Sequence, residues 1–95
     1  MRLAAKIDAN QNAIVSALRD IPGVTVDVGH NDIIVSRLGV NYWYEIKNPS
    51  EIKKDGTLKA GALRPKQEKL RDTWTGHYKV VSTLEEILQD IGVTR

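Results

Sequence analysis

Three residues in this chain could do chemistry together. The segment NYWYEIKNPS runs from Asn41 to Ser50 and carries Glu45 and Lys47, two positions apart and following Trp43. Side chains two apart on a strand share a face, so the acid, the base and the indole sit side by side. Asp32 lies 13 positions before Glu45. If the two segments form an antiparallel hairpin around Leu38-Gly39, the start of one lies beside the end of the other, and the carboxylates meet. Close carboxylates repel unless a proton or a cation sits between them. Hard oxygen donors in a chain without cysteine favour Mg²⁺ or Mn²⁺. Such an ion can polarise a phosphate and acidify water, and Lys47 could orient or help deprotonate that water or stabilise developing charge. The same spacing also fits a plain surface ion pair of Lys47 with Glu45 or Asp32.

The elements that must position these residues read as αβββαβα. A helix is expected over DANQNAIVSALRDI, capped by Asp8 or Asn10, with Ile14, Ala17, Leu18 and Ile21 on one face. Pro22-Gly23 stops it. VTVDV (24–28) and DIIVS (32–36) alternate as strands, with Gly29-His30-Asn31 as a turn. Residues 37–40 connect to a third strand over 41–47, which Asn48-Pro49 ends. A long connection covers 48–63, and connections of that length are often functional. It is otherwise a tolerated insertion or a small β-ribbon around Asp55-Gly56. A helix over about 66–74 follows Pro65, HYKVVS is a fourth strand, and TLEEILQDIG a last helix. Thr83 and Glu86 form its capping box and Gly92 its stop.

Composition sets the frame. Ninety-five residues make one domain (1–95), and 41% hydrophobic content argues against disorder. Neither a signal-peptide core nor a membrane-spanning apolar run is visible, so a soluble cytoplasmic domain with no membrane role is expected. Net charge is +2 but uneven: residues 37–71 hold nine basic and four acidic side chains. A local basic region can recognise phosphate, although it also describes a solvated loop.

The pattern ND-IIV…YWYEIK resembles the PD-(D/E)xK phosphodiesterase core, with Asn31-Asp32 in the Pro-Asp place and Glu45-Ile46-Lys47 as the ExK. Together with DANQNAIVSALR, LRPKQEKLRDTWTG and YKVVSTLEEILQDIG, nearly the whole chain is similar to the small stand-alone phage and prophage nucleases of the virus-type replication-repair nuclease (VRR-NUC) group. The resemblance implies a restriction-endonuclease-like α/β (α+β) fold, a central mixed sheet flanked by helices, and an Mg²⁺- or Mn²⁺-dependent deoxyribonuclease acting in a host cell. It implies that Asp32, Glu45 and the carbonyl of Ile46 are metal ligands, that Lys47 is the catalytic lysine, and that Gln67 lines the site. Gln11 stands where family members often carry a metal-shell glutamate. An amide oxygen can ligate but brings no charge.

Stand-alone members of the resembled group are linked to branched DNA such as four-way (Holliday) junctions. Paired symmetric cuts suit a C2 homodimer. No helix-turn-helix or zinc module suggests base reading. A nuclease of linear duplex or DNA ends would carry the same residues, and a non-catalytic DNA-binding module would fit Gln11. Arg64, Lys66 and Lys69 are candidate phosphate contacts, or partners of Glu68 and Asp72 along their helix. Trp43 is expected to pack in the core beneath the site, Trp74 on its helix's apolar face, and His77 at the surface.

Overall fold

The computed structural model describes residues 10–29 and 32–94. Asp8, His30 and Asn31 lie outside them. The order is α1 (Gln11–Arg19), β1 (Val24–Val28), β2 (Asp32–Arg37), β3 (Val40–Ile46), a 3₁₀ turn (Pro49–Glu51), α2 (Pro65–Thr73), β4 (Lys79–Val81) and α3 (Leu84–Ile91). The four strands form one mixed sheet in the order β1-β2-β3-β4. The first three are antiparallel and β4 runs parallel to β3.

Period-two alternation gives this sheet two unlike faces. On one, Val24, Ile33, Val35, Tyr44, Ile46 and Val81 are buried against Ile14, Val15 and Leu18 of α1 and Ile87, Leu88 and Ile91 of α3. That is the core, and the apolar stripes of the two helices at helical spacing close it. The other face carries Asp32, Ile34 and Ser36 of β2 against Glu45, Trp43 and Asn41 of β3. It is the chemical face. α2 buries none of its own residues and reaches this face through Gln67 and Leu70.

The β2–β3 turn fixes the register. Leu38 and Gly39 both have positive φ, 52° and 79°, which suits a two-residue hairpin turn. Leu38 is non-glycine in the left-handed region, at a strain cost, and 82% exposed. The turn is therefore two residues, not the four expected, and β3 begins at Val40 and ends at Ile46. The long connection contains an isolated antiparallel bridge, Ile52 with Leu58, around Asp55-Gly56. The fourth strand is shorter than HYKVVS suggested, because only three of its residues pair with β3.

Local rules hold at α3. Thr83 Oγ1 accepts from the Glu86 N–H at 3.2 Å, Glu86 Oε1 accepts from the Thr83 N–H at 3.0 Å, and Gly92 closes the helix at φ 81°. Arg37 Nη1 donates to the Ile91 carbonyl at 3.0 Å and satisfies one otherwise unpaired helix-end acceptor. The rule fails at α1. Asn10 occupies the cap position without capping; its Nδ2 donates to the carbonyls of Ser82 at 2.6 Å and Lys47 at 3.3 Å. The start of α1 is thereby tied to the ends of β3 and β4.

Candidate functional site

Asp32 and Glu45 are direct partners across β2 and β3. Pairs in an antiparallel ladder alternate between hydrogen-bonded and non-hydrogen-bonded kinds. Counting from Arg37 and Val40, which close the turn with a hydrogen-bonded pair, Asp32 and Glu45 fall in a non-hydrogen-bonded pair. This is the kind whose side chains stand closest, with Cα atoms about 4.5 Å apart. The Trp43 N–H agrees, since it points away from β2 to His77 Nδ1 at 3.0 Å.

Lys47 follows on the same face. Its Nζ lies 3.7 Å from Glu45 Oε2, and both residues are buried, 7% and 4% exposed. The pair is therefore no ordinary surface ion pair: its attraction acts with little screening, and each charge has lost most of its water. Lys47 leaves the strand with its N–H donated to the Val81 carbonyl at 2.8 Å. Ile46 turns its side chain into the core at 1% exposure, so only its main chain can serve the site.

Asp32 is held from two sides. Trp43 Nε1 donates to Asp32 Oδ2 at 2.7 Å. Gly29 lies under the other oxygen: a Cβ there would come 3.1 Å from Oδ1. Trp43 is thus not in the core. It stands on the chemical face in an aromatic group, edge-on to Tyr78 at 4.9 Å and to Trp74 at 5.2 Å between ring centres. Trp74 is the residue on which α2 ends, and it is half exposed rather than on an apolar helix face.

Asp32, Glu45, Arg64, Lys66, Gln67, Leu70 and Tyr78 line one cavity of about 320 Å³. Gln67 Oε1 accepts from the Arg64 N–H at 3.0 Å and is committed to starting α2, so the amide nitrogen is the end that can serve a ligand. Burial, and then the negative charges of Glu45 and Asp32, push the Tyr78 hydroxyl up to about 12, so it remains a proton donor at neutral pH. Gln11 is buried at the start of α1, at the end of the molecule where Asn10 meets the Lys47 carbonyl, but it does not line this cavity. Lys69 is exposed and also outside it. Among the described residues no group of three or more His, Cys, Asp or Glu is placed to hold a metal ion.

A second polar cluster lies across the sheet. β4 begins opposite Tyr44, too late to take the Trp43 N–H, and His77 Nδ1 takes it instead. An accepting Nδ1 puts the ring proton on Nε2, which donates to Asp90 Oδ2 at 2.6 Å. Tyr44 Oη donates to the same oxygen at 2.6 Å. Burial raises the Asp90 carboxyl, but the bonds from Tyr44 and His77 outweigh it and hold the group below the usual range. His77 is therefore no surface histidine. With both nitrogens engaged it anchors the strand rather than acting as a base. Spacing offered no sign of it: His77 meets Trp43 across 34 positions and Asp90 across 13. Tyr78 lines the cavity and was also missed by sequence reasoning; a tyrosine in a strand-forming run carries no chemical signal.

No family model, curated protein or solved structure matches this chain. Among the described residues, no helix is long and apolar enough to cross a membrane.

Proposed function

We propose that this chain is a divalent-metal-dependent DNA endonuclease with a PD-(D/E)xK core of the VRR-NUC kind, selective for branched DNA such as four-way junctions and working as a homodimer. The observation that carries the reading is the directly opposed Asp32–Glu45 pair with buried Lys47 Nζ beside it, opening into a cavity rimmed by Arg64 and Lys66. A plain structural ion pair of Lys47 with one acid would not require two carboxylates on the closest kind of strand pair.

The donor set fits Mg²⁺ or Mn²⁺. Asp32 and Glu45 offer hard carboxylate oxygens, and further oxygens would come from the Ile46 carbonyl or water. A bound ion supplies Lewis acidity, neutralising charge that gathers on a phosphate and making water a stronger acid. The chain's own groups do the rest. Arg64 and Lys66 bind the DNA phosphate and hold the strand over the carboxylates. Lys47 Nζ, kept near Glu45, orients the attacking water and meets the negative charge that develops. Tyr78 Oη and the Gln67 amide nitrogen donate hydrogen bonds to phosphate oxygens. Trp43 and Leu70 keep bulk water from the carboxylate pair.

The test is incision of a labelled synthetic four-way junction, beside linear duplex and single strand, with Mg²⁺ or Mn²⁺ and with Lys47→Ala as control. Paired symmetric cuts in the junction, lost in the variant, are expected. Equal cutting of linear duplex would replace junction selectivity with general or end-processing activity. Binding without any cutting would leave a non-catalytic DNA module.

A further inference from the structure

The indole at the end of α2 packs on Trp43 yet stays half exposed. Trp74 is 51% exposed, while the other four large aromatics (Tyr42, Trp43, Tyr44 and Tyr78) are buried or half-buried. An indole left half in water retains apolar surface that a second ring could cover. Its position is fixed. Trp43 meets it at 88° between ring planes, and a Cβ on Gly76 would come 2.9 Å from its Nε1, so the main chain at Gly76 closes against the ring edge. Trp43 in turn holds Asp32. The indole of Trp74 therefore stands one ring, Trp43, away from Asp32, whose cavity Arg64 and Lys66 also line.

We infer that Trp74 is a stacking platform for one unpaired nucleobase next to the phosphate held over Asp32 and Glu45; the inference rests on the nuclease reading above. The charge around it favours a polyanion, since residues 37–71 carry a net positive charge and two of those cations rim the cavity. A paired base in a duplex already has both faces covered. Only a base freed at a branch, gap or flap can present its face to an indole. Stacking on an aromatic side chain does not depend on base identity. The ring is already immobilised, so little side-chain entropy is lost on binding. Trp74 thus selects for DNA geometry, and Arg64 and Lys66 supply attraction to any DNA.

The experiment is metal-free binding, by fluorescence anisotropy, of three labelled DNAs: a paired duplex, the same duplex with a two-nucleotide gap, and a four-way junction. Wild type is compared with Trp74→Ala, Trp74→Phe and Lys66→Ala, each checked by thermal melting. Trp74→Ala should weaken binding to the gapped DNA about tenfold and leave the duplex unchanged. Trp74→Phe should keep most of the affinity, and Lys66→Ala should weaken all three alike. The chain has two tryptophans. In Trp43→Phe the remaining indole emission should therefore be quenched by gapped DNA and not by duplex. An equal loss on duplex and gapped DNA, or no loss on either, overturns the stacking role, while DNA binding by wild type leaves the nuclease reading to be decided by the incision assay. A folded wild type that binds none of the three DNAs overturns both.

Discussion

Trp43 Nε1 donates a 2.7 Å hydrogen bond to Asp32 Oδ2, so one oxygen of the cavity carboxylate is oriented by an indole two residues before its partner Glu45. Groups that hold a ligand's second atom commonly govern metal affinity by about 10–100-fold. Trp43→Phe keeps an aromatic ring on this face and removes the donor together with part of the ring. Mn²⁺ titration by calorimetry should show affinity reduced by about tenfold, with the melting temperature little changed. Unaltered Mn²⁺ affinity would mean that the indole packs against Asp32 without directing it.

Lys47 and Glu45 neutralise each other out of water. Removing one member of such a pair leaves a buried charge uncompensated, at a cost of about 3–5 kcal/mol. Lys47→Ala should abolish cleavage and also lower stability, beyond the simple loss of activity expected from a surface residue. Divalent cation should restore more stability to Lys47→Ala than to wild type, because cation replaces the missing ammonium beside two carboxylates. Thermal melts with and without Mg²⁺ measure both effects.

His77 accepts from the Trp43 N–H and donates to Asp90, tying β3 to α3. His77→Ala takes the acceptor from the Trp43 N–H and removes one of two hydrogen bonds to Asp90, which keeps that from Tyr44. Leaving a buried donor unsatisfied costs about 1–3 kcal/mol. Chemical denaturation should show a loss in that range. Cleavage, measured where the variant is folded, should fall less than in Lys47→Ala, since the ring touches none of the cavity residues.

Stability should decline at both ends of the pH scale. The Tyr44 and Tyr78 hydroxyls are both raised, first by burial, then by Asp90 for Tyr44 and by Glu45 and Asp32 for Tyr78. A raised group stabilises the fold fully below its unfolded value, here 10.0, and that contribution is lost as pH climbs; for Tyr78 the loss runs to about 12. Asp90 is depressed, so its contribution is present above the usual carboxylate range and disappears as pH falls through its lower folded value. Melting temperature against pH should be flat through neutrality and fall at both limits. Tyr78→Phe should reduce the alkaline fall.

What could be read beforehand was local. The capping box joins Thr83 and Glu86, three positions apart, and Gly92 stops the same helix; both stand in the structure as read. The Asp32–Glu45 register was legible because a short turn and strict alternation determine it between them. Long-range matters were not. Asn10 is a good cap by composition, yet two carbonyls from distant strand ends outbid its own helix. Trp43 reads as core by size, but its strand parity sets it on the opposite face, where an indole N–H can meet a carboxylate. His77 depended on where β4 begins, which parallel pairing decides and the residues of HYKVVS do not.

The β2–β3 hairpin closes from Leu38-Gly39, and its ladder ends at Asp32 and Glu45. If the ladder zips outward from the turn, Arg37 meets Val40 first and the two carboxylates meet last. The repelling pair therefore opposes only the final rung and leaves the nucleus of the hairpin undisturbed. Interactions absent from the transition state act on the unfolding rate alone. A cation held at the open end would therefore work as a clasp: it lengthens the lifetime of the folded chain while the speed of folding stays the same.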